Sequence, residues 1–238
     1  RARQAVGTWL AFVPEKSRFL FPSRAGHISR IRLFQIIKAL AAQSDAPLPK
    51  DVRKGLTAND KCFYIYTSGT TGRSKGAMLT QNNLLSNAEA LTDHWAFTAT
   101  DVLLHALPIF HTHGLFVATN IALLSGCKIL FLPKFDREAI IALLPQATSM
   151  MGVPTFYTRL LDDPRFDRAL TGHMRLFISG SAPLLAETHK LFEERSGHRI
   201  LERYGMTETN MSTSNPYEGA RRAGTVGFPL PGIELKIT

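Results

Sequence analysis

The sequence is poor in cysteine. Its 238 residues contain two, Cys62 and Cys127, which lie far apart in apolar surroundings. This spacing excludes a disulfide framework as the basis of the fold and is typical of a reducing compartment, so we expect a cytoplasmic location. The sequence also has no uninterrupted apolar run of about 20 residues, the length that a membrane-spanning helix needs. The longest apolar stretch, 115–133, is broken by Asn120, by Ser125-Gly126 and by a lysine. We therefore expect no membrane span.

Acidic residues are scarce at the start of the chain. Residues 1–40 contain eight lysines and arginines and one acid, Glu15, so most of the net charge of +9 is concentrated there. Such a segment is typical of a transit peptide or of an arm that binds nucleic acid. There is no initiator Met, and no base-stacking motif accompanies the charge. We expect solvated or irregular sequence and no nucleic-acid partner, with salt-sensitive nucleic-acid binding through residues 1–40 as the alternative.

From Lys61 onward the sequence alternates between short apolar runs and amphipathic stretches. Residues 1–60 are by contrast an atypical, poorly defined segment. Alternation with short connections favours an α/β fold of layered, largely parallel sheets with helices. Strands are predicted over 62–66, 102–108, 127–132, 148–153, 175–180 and 199–205, and helices from Thr80 or Asn82, over 114–124 and 136–144, from Pro154, and over 184–196.

The segment 66–76, YTSGTTGRSKG, combines glycines, hydroxyls and one lysine. Glycines allow backbone N–H groups to approach an anion closely, and hydroxyls add hydrogen-bond donors. The segment follows a predicted strand and is expected to precede a helix, a position in which phosphate sites form readily. In the common P-loop a glycine directly precedes the lysine, whereas here Ser74 does. We predict a loop that binds the phosphates of ATP, and a flexible turn is the alternative.

Three further motifs follow in order: LPIFHTHG at 107–114, FISGSAPL at 177–184 and ERYGMTET at 202–209. Together with the glycine loop they resemble the acyl-adenylate-forming superfamily, whose signature is YTSGTTGxPKG; Ser74 stands where proline is usual. The resemblance covers residues 61–238, and the surrounding residues resemble malonyl-CoA synthetases in particular. It implies the partial large domain of an enzyme that uses ATP, Mg²⁺ and coenzyme A.

The resemblance also implies roles for individual residues. Tyr204 offers a flat face for adenine, although such a tyrosine taken alone would be read as a half-buried core aromatic. The expected catalytic residues are Lys75, Thr207 and Glu208, and the expected oxygen ligands of Mg²⁺ are Glu208 and Thr71. The expected nucleotide-binding residues are Thr67, Ser68, Gly69, Thr70, Thr71, Gly72, Lys75, Gly180, Ser181, Ala182, Pro183, Glu202, Tyr204, Gly205, Met206 and Thr207.

The acyl pocket is assigned to His111, Ser181 and Arg203. His111 and His113 form an H-x-H pair, but no nearby cysteine or acidic pair completes a zinc site. The resemblance places His111 beside the reacting carboxylate, and a merely hydrogen-bonded histidine is the alternative. Arg203 stands where many fatty and aryl acyl-CoA synthetases have glycine. Its rigid donor fork suits a second carboxylate, unless it is a surface or salt-bridged arginine.

These residues predict a ligase that activates a small dicarboxylate, malonate or methylmalonate, as an adenylate and then as the CoA thioester. A fatty- or aryl-acid CoA ligase and a non-catalytic nucleotide-binding protein are the alternatives. The superfamily's ribose-binding aspartate, hinge and small C-terminal domain would follow residue 238. We therefore expect an incomplete core at 61–238, without the small domain and with little ligase activity on its own.

Overall fold

A computed structural model of the chain describes residues 55–67 and 75–236. Strands β1 (Lys61–Thr67) and β2 (Lys75–Thr80) form an antiparallel hairpin. The residues between them, 68–74, belong to the predicted phosphate loop and lie outside the described part of the chain, as does the basic segment 1–40. The other strands are β3 (Val102–His105), β4 (Lys128–Phe131), β5 (Ser149–Gly152), β6 (Leu176–Ser179), β7 (Leu201–Met206), β8 (Asn210–Ser214) and β9 (Phe228–Pro229).

Helices separate most of these strands. A π-helical segment, His113–Ala118, runs directly into the second α-helix, and a 3₁₀ turn, Leu144–Gln146, follows the third. Among the described residues, no helix has the length and apolar character needed to cross a membrane. The α-helices are α1 (Gln81–His94), α2 (Thr119–Ser125), α3 (Arg137–Leu143), α4 (Pro154–Leu161), α5 (Arg168–Thr171) and α6 (Ala186–Ser196).

Strands β3 to β9 form one sheet in the order β4-β3-β5-β6-β7-β8-β9. The pairs from β4 to β7 are parallel, and β8 and β9 are antiparallel additions. Every residue of β5 and β6 is buried, as expected of parallel strands covered on both faces. The α/β prediction is confirmed. Since ligands of such sheets bind beyond the carboxyl ends of parallel strands, the segments after β3, β6 and β7 are the place to look for a site.

The hairpin differs from its prediction in two respects. Residues 62–66 were expected to form a buried strand, but Tyr64 and Tyr66 are 56% and 60% exposed. A two-stranded hairpin covers only one of its faces; here that face packs Cys62 and Leu79 against Leu84 of α1. The phosphate loop was also expected to lead into a helix. It instead joins β1 to β2, and α1 begins only after β2.

Helix α1 begins with a reciprocal capping box. The Thr80 hydroxyl accepts a hydrogen bond from the Asn83 N–H (3.1 Å), and the Asn83 side chain accepts one from the Thr80 N–H (2.9 Å). We expect Thr80→Ala to lower the free energy of unfolding by about 1 kcal/mol, because the Asn83 N–H loses its fixed partner. Thr80→Ser keeps the hydroxyl and should stay near the wild type in urea denaturation. An equal loss in both variants would contradict the capping role.

Candidate functional site

Arg203 lies in β7 and is buried, with 3% of its surface exposed. Its Nε and Nη2 atoms have no hydrogen-bond partner among the residues that the structure describes. Burial lowers the pKa of Arg203 to about 10, an effect that nearby Tyr157 opposes. The guanidinium therefore remains charged at neutral pH. A buried cation with unpaired donors is costly, so such a group is a strong candidate for binding an anion.

The turn after β6 is shaped around this guanidinium. A Cβ atom added to Gly180 would lie 2.4 Å from Cζ of Arg203, so a larger residue there would force the guanidinium to move. The next residue, Ser181, has a φ of 70°, in the left-handed region that non-glycine residues rarely occupy. Strained backbone of this kind is found preferentially at functional sites. Sequence reasoning assigned both residues to the site, and the structure places Gly180 against Arg203.

Tyr157 of α4 interacts electrostatically with Arg203, and the sequence did not single it out. Its side chain is fully buried, and its hydroxyl donates to the carbonyl oxygen of Ile178 in β6. Gly152, at the end of β5, lies so close to the ring that an added Cβ would be 3.1 Å from Cζ. Burial raises the pKa of the phenol, which keeps it neutral. In the sequence, Tyr157 looks like any buried aromatic residue of a helix, and no local pattern indicates that it lies near Arg203.

His113 begins the π-helical segment and is buried. Its Nδ1 lies 3.2 Å from the Ser181 hydroxyl, and its Nε2 has no hydrogen-bond partner within the described chain. Burial lowers the pKa of His113 well below its usual value, and electrostatic interactions with Arg203 and His105 lower it further. The imidazole is therefore neutral at neutral pH. Arg203 and His113 thus contact two consecutive residues of one turn, Gly180 and Ser181.

His105, the last residue of β3, holds the start of the π-helical segment. Its Nδ1 accepts a hydrogen bond from the N–H of Leu107 (3.2 Å), so its Nε2 carries the proton and donates to the carbonyl oxygen of Gly114 (3.0 Å). The Thr119 hydroxyl donates to the same oxygen (2.9 Å). The wider turn of a π-helix is rare in proteins in general. Where it does occur, it is frequently at a functional site. These hydrogen bonds tie His113, the neighbour of Gly114, to the end of the sheet.

His111, the histidine expected in the acyl pocket, is exposed, and its ring lies 4.6 Å from the ring of Phe110. Its role in substrate binding stays a prediction. Sequence reasoning recognised the H-x-H pair but did not assign the pocket to His113. A sequence signal for His113 was available, because a glycine follows it. Gly114 lies so close to the backbone of Pro108 that no side chain would fit there.

The remaining residues of ERYGMTET in β7 differ in their exposure. Glu202 is buried, and its carboxylate lies 3.3 Å from Nδ1 of His189 on α6. Tyr204 and Met206 are 47% and 43% exposed. Gly205 is tightly enclosed by the carbonyl oxygen of Asn210 in β8. Tyr204 and Met206 are accessible to a nucleotide, whereas Glu202 contacts a helix of the protein.

Thr207 and Glu208 lie in the turn between β7 and β8. Thr207 is partly buried, while Glu208 is exposed and lines a cleft of about 310 Å³ beside α1. Mg²⁺ that accompanies a nucleotide is held by one or two carboxylates together with phosphate oxygens, so an accessible carboxylate of this kind fits the ion. Thr71, the second expected ligand, is outside the described residues.

Two residues that flank the phosphate loop are described. Thr67 ends β1 and pairs with Lys75 at the start of β2, so the loop begins and ends at one end of the hairpin. Lys75 is exposed. Ala182 and Pro183 are also exposed, in the turn after β6. Ser68, Gly69, Thr70, Thr71 and Gly72 fall in the part of the loop that is not described.

An α/β domain with a strained turn and a buried guanidinium near the carboxyl ends of its strands has the features of an anion-binding domain. A family model described as AMP-binding enzyme matches residues 23–238. The chain therefore belongs to the AMP-binding enzyme family, which confirms the resemblance seen in the motifs.

Among individual proteins, the chain is similar to malonate–CoA ligases. One from Arabidopsis thaliana is 41% identical over 204 residues, covering 77% of this chain and 34% of that protein. The mitochondrial malonate–CoA ligase ACSF3 of Mus musculus is 38% identical over 210 residues, 82% of this chain and 36% of that protein. The chain thus spans about a third of the length of these curated relatives.

Solved structures give the same result. ATP-bound MatB from Rhodopseudomonas palustris is 58% identical with a TM-score of 0.76, over 83% of this chain and 38% of that one. A malonyl-CoA ligase complex with methylmalonyl-CoA and AMP is 42% identical with a TM-score of 0.73, over 79% of this chain and 41% of that one. These neighbours confirm the fold.

Proposed function

We propose that this chain forms the nucleotide- and acyl-binding part of an enzyme that activates a small dicarboxylate, malonate or methylmalonate. The observation that carries the proposal is Arg203, a buried guanidinium with two unpaired nitrogens in the described structure. A fatty or aryl chain would meet a cation in place of an apolar wall, whereas a second carboxylate would supply acceptors to the donor fork. The similarity to malonate–CoA ligases supports the same substrate class.

In the proposed reaction, a carboxylate oxygen of the substrate attacks the α-phosphorus of ATP, and the bond to pyrophosphate breaks. The thiol of coenzyme A then displaces AMP from the acyl-adenylate. Lys75 and the loop hydroxyls would draw charge toward the leaving pyrophosphate, and Thr207 would hold the α-phosphate. Mg²⁺, when bound, offsets phosphate charge, and Glu208 with Thr71 would hold it.

The adenine would stack on Tyr204, whose ring is about half exposed. The backbone of the turn containing Gly180, Ser181, Ala182 and Pro183 would lie along the edge of the base. These residues would contribute chiefly by positioning the reactants. Alignment of the bound carboxylate with the α-phosphorus makes a bimolecular reaction effectively unimolecular. A cytoplasmic location stays a prediction; one of the similar proteins is described as mitochondrial.

The proposal can be tested by calorimetry on the purified chain with non-hydrolysable acyl sulfamoyl adenosines, which mimic acyl-adenylates. Malonyl and isovaleryl analogues form the matched pair, because they have the same shape and differ in the second carboxylate. We expect the malonyl analogue to bind roughly tenfold or more tightly, since a charge-assisted hydrogen bond contributes about 1.5–3 kcal/mol. Lys75→Ala should weaken ATP binding without changing this ratio.

Other results would identify the alternatives. Preference for an octanoyl or benzoyl analogue would contradict a dicarboxylate substrate and favour a fatty- or aryl-acid ligase. Binding of ATP without discrimination among the acyl groups would favour a nucleotide-binding protein without acyl specificity. Pyrophosphate exchange with malonate, methylmalonate and octanoate, measured on a longer protein that contains this chain, would test the reaction itself.

A further inference from the structure

We infer that Asn87 of α1 is a positioning residue, which fixes the turn that carries Glu208 relative to the phosphate loop. This role rests on the proposed function, because it concerns how two parts of the proposed nucleotide site are held together. Glu208 is proposed to hold Mg²⁺, and a residue that orients a metal ligand typically changes the affinity for the metal without touching it.

The side-chain amide of Asn87 pairs with the backbone of Met211 in β8. Its Nδ2 donates to the carbonyl oxygen of Met211 (2.8 Å), and its Oδ1 accepts a hydrogen bond from the Met211 N–H (3.2 Å). This exchange of two hydrogen bonds with one residue is the pattern that a neighbouring strand makes in an antiparallel sheet. A two-point contact of this kind fixes both the distance and the orientation of β8 relative to α1.

Asn210, the residue before Met211, adds a second contact between the same two elements. Its Nδ2 donates to the carbonyl oxygen of Asn83 (3.3 Å), which lies about one helical turn before Asn87. Asn210 is buried, and its φ of 53° is in the left-handed region that non-glycine residues rarely occupy. The hydrogen bonds of Asn87 and Asn210 therefore hold the start of β8 in a specific conformation against one face of α1.

These contacts join two segments that the proposed function assigns to the phosphates and to Mg²⁺. Strand β2 begins at Lys75, and α1 follows it directly, so Asn87 belongs to the segment that leaves the phosphate loop. Glu208 lies two residues before Asn210, in the turn between β7 and β8. Glu208, Asn87 and Asn210 all line the cleft of about 310 Å³ beside α1. Asn87 thus connects the segment that begins at Lys75 to the segment that contains Glu208.

The relative position of the two segments matters because of the coordination that Mg²⁺ requires. The ion accepts oxygen ligands at about 2 Å in a nearly ideal octahedron, and it usually combines one or two carboxylates with phosphate oxygens. A small displacement of Glu208 relative to the bound phosphates would take its carboxylate out of reach. Asn87 therefore acts on the site through Glu208.

Asn87→Leu tests this role, because leucine has a similar shape and forms neither hydrogen bond to Met211. ATP is titrated into the purified chain by calorimetry, once with excess Mg²⁺ and once with a chelator. The readout is the ratio of the two dissociation constants, because a general structural defect would weaken both titrations equally. We expect Asn87→Leu to reduce the gain in affinity that Mg²⁺ provides by about tenfold, the lower end of the range for residues that orient metal ligands.

Two further variants serve as controls. Ser86 lines the same cleft, but its hydroxyl donates within the helix to the carbonyl oxygen of Asn82 (2.7 Å), so Ser86→Ala should keep the wild-type ratio. An equal reduction in Ser86→Ala and Asn87→Leu would contradict the role of Asn87. Asn210→Gly removes the contact to Asn83 while glycine tolerates the positive φ, so a smaller reduction is expected. Asn210→Gly stays informative if melting temperatures show that Asn87→Leu is unstable.

A double-mutant cycle tests whether Asn87 acts through Glu208. Glu208→Gln removes the proposed ligand charge, so adding Asn87→Leu to it should reduce the ratio no further. A full additional reduction in the double variant would overturn the inference.

The same titrations distinguish this inference from the proposed function. A wild-type ratio in a folded Asn87→Leu protein would overturn the role of Asn87 and leave the nucleotide site intact. Binding of ATP that Mg²⁺ does not strengthen would overturn the roles of Asn87 and Glu208 only. Absence of ATP binding by the wild-type chain under both conditions would overturn the proposed function as well.

Discussion

Arg203→Met is expected to remove the preference for the malonyl over the isovaleryl analogue and, at the same time, to stabilise the ligand-free protein. Loss of two charge-assisted hydrogen bonds should weaken malonyl binding by roughly a hundredfold. The unfolding free energy should rise by about 1–3 kcal/mol, because methionine removes a buried charge whose donors are unpaired in the described structure. Opposite changes in binding and stability are the signature of a group kept for function.

Arg203→Lys is the matched control. It keeps a positive charge but lacks the planar fork, so it should bind the malonyl analogue less tightly than the wild type and more tightly than Arg203→Met. Its stability should not increase, because the charge remains buried. Loss of stability in Arg203→Met together with unchanged malonyl preference would mean that Arg203 supports the fold and does not contact substrate.

Asp101→Asn is expected to cause the largest loss of stability. Arg175 makes a bidentate pair with this carboxylate, at 2.6 Å from Nε to Oδ1 and 2.8 Å from Nη2 to Oδ2. It also donates to the carbonyl oxygen of Trp95 and lies over the ring of Phe97 at 4.7 Å. Asp101 is buried and Arg175 is 23% exposed, so the loss should be about 3 kcal/mol, at the low end for a buried pair, because Arg175 would keep only its carbonyl and aromatic partners.

Urea denaturation measures this loss, and an exposed ion pair provides the control. Glu193 and Arg199 approach to 2.7 Å, but their side chains are 38% and 53% exposed. Glu193→Gln should therefore change the unfolding free energy by less than about 1 kcal/mol. Similar effects of Asp101→Asn and Glu193→Gln would show that burial does not strengthen the Asp101 pair.

The Asp101 pair also predicts a pH dependence. Burial alone would raise the pKa of Asp101, but hydrogen bonds from Arg175, the Thr98 N–H and the Thr148 hydroxyl together lower it below its usual value. The stability that this ionisation contributes is therefore present above the unfolded pKa of about 4 and is lost as the pH falls through the folded pKa. The difference between wild type and Asp101→Asn should shrink below pH 4; a constant difference would contradict this.

Much of the fold could be predicted from local pattern. Apolar runs gave the positions of β3 to β7, and Thr80 and Pro154 begin α1 and α4 as expected. β8 was missed because its sequence, NMSTS, is polar although all five residues are buried. Pairing with β7 satisfies its backbone, and Asn87 of α1 bonds to both the N–H and the carbonyl oxygen of Met211. These partners are distant in sequence, so no local pattern reveals them.

The sequence by itself determined the family, because four motifs in order require only residue types and spacing. It also singled out Arg203 as the residue proposed to select the acyl group. Tertiary structure decided the surroundings of Arg203: the space left by Gly180, the electrostatic interaction with buried Tyr157, and the burial of His113 rather than His111. Burial and unpaired hydrogen-bond donors depend on what lies across the site, which neighbours along the chain do not specify.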